Sequence, residues 1–568
     1  MEFSILRVTA GAVLLGSSIV GVQDLQAQAL APEEAAPVTE TALEQAPVFT
    51  PEQAELMYGI SRLEPGRREA VEEFYALRDF EFFWSENMEL LAEAVAEAPI
   101  HGLPADRYEF AVVTLAEASD PAALVRAEMA AMDVFLQLAG DLSAGILTPI
   151  SLDEEMAVKT VRADDADILK RLSSSTVDQV LADMEPQAPE YRELIAEHLR
   201  LRSMLESNPW GAKMPTGETL HPGDRDMRVV DLRGRLQRLG YGPEQSVEDP
   251  EVFDDALAAE VKTFQRDYGL IDDGVAGFRT FQAMNASPED RLKQVLVNLE
   301  RMRWLNHDLG ERRIMANIPD YSATMYIGDT PVWHSRTVVG DAEETRTPEF
   351  SDEMTYMVVN PTWHIPDSIA TRVYLPKLRK DPTVLDRNGM SLYTRSGKKI
   401  DPRLVNFAQY SDESFPFRVK QNPSLDNALG RVKFMFPNEF SIYLHDTPAQ
   451  SYFKKDARAF SNGCVRLEQP IDLALELLDG QYDNPQASFD GWLQTKKERH
   501  VNLEKPVEVH LVYRTVWSDP EDGIRYRADI YGRDATVFNA LAAKGVDLSG
   551  DAAAWAQHGA LQAAENRG

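Results

Sequence analysis

Cysteine is almost missing: Cys464 is the only one in 568 residues. One cysteine excludes an internal disulfide and any C-x-x-C metal or redox pair. No H-E-x-x-H segment and no G-x-x-x-x-G-K-[ST] loop occurs, so zinc hydrolysis and P-loop phosphoryl transfer lack their usual groups. Positive charge is short as well. Lys and Arg total 58 against 92 Asp and Glu, a net charge of −34. A surface this acidic repels phosphate backbones, so no nucleic acid partner is expected. Apolar runs that could cross a membrane are lacking. The stretch from Val8 to Val20 falls short of the roughly 20 residues a spanning helix needs. It follows Arg7 and precedes Ala27-Gln28-Ala29, an A-x-A-like cleavage site. Residues 1–29 therefore read as a secretory signal peptide, with a mature chain that is soluble after cleavage.

What is present can fill cores. Hydrophobic residues make up 44% of the chain, and the length implies several domains. Residues 30–50, rich in Ala, Pro, Glu and Thr, read as a linker. From 51 to 215 the pattern is helical. "AVEEFYALRDFEFFW" and "MELLAEAVAEAP" space apolar residues at i, i+3, i+4 and i+7, and "AGDLSAGILTP" ends a helix with Gly and Pro;. No catalytic pattern occurs there, and the region reads as a helical scaffold.

Residues 223–286 differ. Val230, Leu232, Leu236 and Leu239 are expected to line one amphipathic helix, and Ala256, Val261 and Phe264 a second. Leu236-Gln237, Leu239-Gly240-Tyr241, Phe264-Gln265, Gly269-Leu270, Asp273-Gly274, Gly277 and Thr280 resemble the peptidoglycan-binding domain family. Gly234 inside the first helix departs from good helix chemistry, at a cost of about 1 kcal/mol. A helical connector is expected at 287–311. From 312 to 515 short alternating runs predict a mainly β domain: "RIMANIP", "SATMYIG", "VWHSRTVVG", "TYMVVNPTWHIP", "FSIYLHD". A charged, proline-bearing insertion at about 375–416 reads as a lid over a cleft. Residues 516–568 read as a further strand and a helical tail, whose Ala-rich end after 551 has no evident role. The fold class expected is multidomain α+β.

A single thiol in an exported chain is either a small buried hydrophobe or a reactive group. Its neighbours bear on the choice. His445 closes the run "FSIYLHD", and Ser461-Asn462-Gly463-Cys464-Val465-Arg466 follows. This pairing resembles the L,D-transpeptidase catalytic domain, whose pattern is a His and then S-H/S-G-C-x-R/N. "TYMVVNPTWHIPDSIA", "LPKLRKDP", "NALGRVKFMFPN", "YLHDTP" and "RAFSNGCVR" extend the resemblance to the large Gram-negative type, which joins a helical scaffold, a peptidoglycan-binding module and the catalytic domain.

The resemblance implies a thiol nucleophile, Cys464, with His445 as general base and the Asp446 backbone carbonyl orienting its ring. The Gly463 and Cys464 amides become candidates for an oxyanion hole. Arg466 either binds a substrate carboxylate or pairs internally to fix the loop. Ser461, Asn462, Tyr443 and Trp363 are expected to contact substrate. Asn462 stands where many members carry histidine. His334 and His364 are expected as ordinary core or surface histidines. The implied reaction is 3→3 cross-linking of stem peptides in the periplasm. A donor tetrapeptide acylates the thiol and an acceptor amine takes the acyl group, without metal or organic cofactor. Carbapenems should acylate the same thiol, and glycan strands or other cell-wall enzymes are possible partners. Three alternatives stay open. Water could resolve the thioester (carboxypeptidase or amidase), a lipoprotein amine could, or the chain could be a non-catalytic wall-binding scaffold. A papain-type protease lacks its C-G-S-C-W surroundings.

Overall fold

The computed structural model describes residues 49–109, 120–205, 209–215, 217–242, 247–519 and 523–548. The expected signal segment, nearly all of the 30–50 linker and the Ala-rich end after 551 lie outside the described residues. Between Pro51 and the C-terminal helix the architecture is mixed α+β. Among the described residues no helix is long and apolar enough to cross a membrane.

The N-terminal helices follow from their caps and apolar stripes. Asp120 accepts the Ala123 N–H at the start of the helix Pro121–Ala144, which stops at Gly145 with φ 81°. A side chain there would be both strained and obstructed, because a Cβ would lie 2.4 Å from Glu300 Oε1. The "AVEEFYALRDFEFFW" run is not one helix. It divides into Pro65–Ala76 and Trp84–Glu97, with left-handed turn residues at Asp79 and Phe80 between them.

The expected connector is a central element. A capping box of Ser287 and Asp290 starts the helix Pro288–Trp304, which is buried on most sides. It packs against Pro189–Leu205 and Arg533–Ala543. Val516, Tyr526, Val537 and Leu541 share its core. The described part of the expected C-terminal tail therefore packs one face into this core, with Val537 and Leu541 fully buried. The small module is three helices, Met227–Arg238, Asp255–Asp267 and Phe278–Met284. Leu232, Leu236, Val261 and Phe264 are buried as expected. Val230 is 42% exposed and Ala256 is exposed, whereas Val229, Leu257 and Ala258 are buried. Each residue turns a helix by about 100°, so a one-position slip in reading the stripe exchanges an inner residue for an outer one.

The β domain is a sheet closed on itself. Its order runs from Thr330–Gly340 to Val465–Leu467, Leu444–His445, Val432–Met435, Phe350–Val359, Arg499–Val512, Arg312–Asn317 and Ser322–Ile327, which pairs back with Thr330–Gly340. Alternate residues of these strands point inward to one core that includes Ile314, Ala323, Met357, Phe434, Leu444, Val465 and Val509. The excursion expected at about 375–416 is larger than that. It carries its own four-stranded sheet of Trp363–His364, Phe417–Gln421, Met390–Thr394 and Lys399–Ile400. Its separate core holds Ile365, Leu375, Leu392, Phe407 and Phe417. A boundary set by charge and proline content missed the short apolar strands at both ends.

Candidate active site

Parallel pairing sets Leu444 against Val465 and His445 against Arg466. A parallel pair cannot be joined by a tight turn, and residues 446–464 supply the crossover. His445 and Cys464 therefore open on one cavity of about 580 Å³, with Tyr443, Ser461, Asn462, Arg466 and Trp363 also in its wall. Asp446 and Gly463 sit behind that wall.

His445 is 4% exposed. Its Nδ1–H donates to the Asp446 carbonyl oxygen at 2.5 Å. That bond selects the tautomer whose Nε2 lone pair is left to accept a proton. Burial, then the positive charge of Arg466, push the imidazole down to about 3. Cys464 is half-buried, and burial pushes its thiol up to about 11 against hydrogen bonds from the Tyr443 N–H and hydroxyl and the nearby Arg466. The resting pair is thus neutral thiol and neutral imidazole. The thiol itself donates to the Ser441 carbonyl at 3.8 Å. Ser441 has φ 57°, a left-handed conformation that costs a non-glycine residue about 1–2 kcal/mol.

One expectation about the loop needs correction. The Gly463 N–H donates to Ser461 Oγ at 3.1 Å, so this amide is already engaged inside the loop. Among the described residues the Cys464 N–H has no acceptor, which leaves it free to donate into the cavity. Gly463 holds φ 102°, and a Cβ there would lie 3.0 Å from Ile442 Cδ1; both favour glycine. Arg466 meets no carboxylate among the described residues. Its nearest aromatic partner is the Tyr452 ring at 5.9 Å, and its Nε is buried without an acceptor. Asn462 is exposed, and its Oδ1 accepts from Arg372 at 3.3 Å; Arg372 also pairs with Glu344 at 2.8 Å.

His334 is an exposed strand residue bonded to Thr324 at 3.0 Å, as expected. His364, also exposed, stands in the cavity wall, as do Thr345, Ser368, Arg372 and Ser441. The pattern reading missed these. The excursion and the loop after Gly340 bring all but Ser441 in from far along the chain, and no local motif marks those. Ser441 alone had a signal nearby, since Asn438 caps this turn by accepting the Ile442 N–H at 3.1 Å. Among the described residues no group of three or more His, Cys, Asp or Glu could hold a metal ion.

Three family models match the chain. Residues 69–197 match a "Scaffold domain", 225–284 a "Putative peptidoglycan binding domain", and 311–485 the "L,D-transpeptidase catalytic domain". A Haemophilus influenzae protein named "Putative L,D-transpeptidase" is 33% identical over 260 residues, 44% of this chain and 50% of that protein. The match thus spans about half the length of the curated relative. A crystal structure of an L,D-transpeptidase from Xylanimonas cellulosilytica aligns at 14% identity with a TM-score of 0.17, over 52% of this chain and 99% of that one; at that score the likeness carries no weight. With the closed sheet, and with thiol and imidazole on one cavity, the match over 311–485 makes this part of the chain an L,D-transpeptidase catalytic domain.

Proposed function

We propose that the chain is a periplasmic L,D-transpeptidase that joins peptidoglycan stem peptides through a thioester on Cys464. The reading rests above all on the open Nε2 of a buried imidazole that shares its cavity with the thiol. Cys464 Sγ attacks the carbonyl of the third stem residue while His445 Nε2 takes the thiol proton. The Cys464 N–H donates to the developing oxyanion. His445 returns the proton to the amine of the departing D-alanine. The side-chain amine of a second stem then attacks the thioester, giving a 3→3 cross-link and the free thiol. Arg466, lacking an internal carboxylate, pairs with a carboxylate of the stem; a fork geometry suits that task. Trp363 and Tyr443 flank the peptide. The module at 223–286 holds the enzyme on glycan, and residues 1–29 direct export.

Two measurements test this. A carbapenem should add its mass once to the wild-type protein and not to Cys464→Ala; an adduct that persists on the alanine variant removes the thiol from the mechanism. Mass spectrometry of products from purified tetrapeptide muropeptides should show cross-linked dimers. Tripeptides alone would assign water as the acceptor, and neither product would leave attachment of a lipoprotein or a wall-binding scaffold.

A further inference from the structure

The nucleophile loop is held from behind by a segment that the helical scaffold itself holds. Thr347 is fully buried, and its hydroxyl donates to the Gly463 carbonyl at 2.7 Å while accepting the Gly340 N–H at 2.8 Å. The Thr345 hydroxyl and the Asp341 N–H both donate to the Ser461 carbonyl, at 2.9 and 3.0 Å. Residues 341–347 therefore bind the carbonyls on both sides of Asn462. The close approach needs Gly340, since a Cβ there would fall 2.0 Å from the Thr345 carbonyl oxygen.

The far side of this segment does not rest on the barrel. Arg346, between the two threonines, pairs with Asp153 at 3.0 Å and Glu155 at 2.7 Å. The Glu349 N–H donates to the Glu155 carbonyl at 2.7 Å, and Met156 bridges Glu349 in a parallel β-bridge. The C-terminal segment closes the clamp. Tyr531 accepts the Thr347 N–H at 3.2 Å and donates to the Gly340 carbonyl at 2.7 Å. Arg533 donates to the Thr347 carbonyl at 3.1 Å and pairs with Glu349 at 3.1 Å.

We propose that Asp153–Met156 of the helical scaffold is a working part of the catalytic centre: through Arg346, Thr345 and Thr347 it sets the position of the loop that presents Cys464. These are positioning residues: Arg346 and Thr347 lie outside the cavity wall, and Thr345, which is part of it, acts through its bond to the Ser461 carbonyl. The scaffold is then required for turnover as well as for folding, and anything that binds or displaces residues 153–156 alters the rate at Cys464. The proposal rests on the assignment of Cys464 as nucleophile, and part of its test is independent of that assignment.

The experiment compares full-length Arg346→Ala, Thr347→Val and Thr347→Ser with wild type. Carbapenem acylation is resolved into a dissociation constant and a rate constant, and hydrogen exchange is followed over residues 459–466. A small misplacement of a reacting group costs roughly 10–100-fold. Arg346→Ala and Thr347→Val should lose that much in the acylation rate constant with the dissociation constant little changed. Thr347→Ser keeps the hydroxyl and should stay near wild type. Exchange over 459–466 should quicken in the two slow variants. Arg346→Glu should be slow, and adding Asp153→Arg should recover part of the rate. Wild-type rate constants in folded Arg346→Ala and Thr347→Val would overturn the proposal. So would a loss confined to the dissociation constant, or a Thr347→Ser protein as slow as Thr347→Val. If wild type itself takes no carbapenem on Cys464, the proposed function fails, and the exchange data alone decide the coupling: unchanged exchange in Arg346→Ala rejects it.

Discussion

Two buried histidines, one in the helical scaffold and one in the barrel, have nearly the same surroundings and opposite prospects. His198 is fully buried and its Nδ1–H donates to the Ile100 carbonyl at 2.9 Å. His445 does the same with Asp446. Burial holds both rings far below the ordinary imidazole range, His198 at about 4 and His445 at about 3. The difference lies at the other nitrogen. His198 Nε2 accepts from Arg202 Nε at 3.0 Å, so its lone pair is spent on structure. Among the described residues His445 Nε2 has no such donor, and the residue lines the cavity that holds Cys464. A depressed pKa and a carbonyl on Nδ1 therefore do not by themselves make a base; the role proposed for His445 also needs a lone pair that opens on the cavity shared with Cys464.

The largest expected effect separates the two at once. His445→Gln keeps hydrogen bonding but cannot take a proton, and should slow acylation about 10²–10⁴-fold in a protein that still folds. His198→Gln should leave acylation intact and cost about 1–3 kcal/mol of stability, through the unpaired groups it leaves. Acylation kinetics and urea unfolding of both variants check this, and equal losses in acylation would erase the distinction.

Acid should treat the two histidines alike. In the unfolded chain each ring binds a proton below about 6.5, whereas in the fold His445 stays neutral down to about 3 and His198 down to about 4. In that interval the unfolded state binds more protons. Their contribution is therefore fully present above about pH 6.5 and is lost as pH falls toward 3–4, by on the order of a few kcal/mol. Unfolding measured from pH 7 to pH 4 should show a shallower fall in either glutamine variant. Acylation has a different expectation. With the thiol at about 11 and the imidazole at about 3, the rate should stay level between about pH 5 and pH 9, and a bell centred near neutrality would point to a preformed ion pair instead.

Smaller effects belong to the groups around His445. Arg466→Ala should weaken donor-peptide binding by about 1.5–3 kcal/mol, the range for a hydrogen bond to a charged group, with less effect on uncharged thiol reagents. Asn462→Ser should stay within about tenfold of wild type, about 1.4 kcal/mol of barrier. A larger loss at Asn462 than at His445 would move the essential group into the loop.

Much of the site was legible because it is local chemistry. Cys464, Gly463 and Arg466 lie in one short stretch, and His445 ends a recognisable apolar run. The helix Pro288–Trp304 was legible as a connector. Other features were not. The breadth of the excursion was hidden because its strands are two to five residues long. On Met227–Arg238 the buried stripe is Val229, Leu232 and Leu236, at i, i+3 and i+7, and Val230 falls outside that spacing.

By itself the sequence determined the types of group available: one thiol, a histidine before it, a glycine that can hold φ 102°, and no metal-binding motif. Tertiary structure decided which of those groups are spent and which are open. Among the described residues it left Arg466 without a carboxylate, and it set Thr345 and Thr347 on the Ser461 and Gly463 carbonyls behind Cys464. The two threonine hydrogen bonds join residues 116 positions apart. A hydrogen bond is fixed by distance and angle, which strand register and domain packing set and which no local pattern of residues encodes.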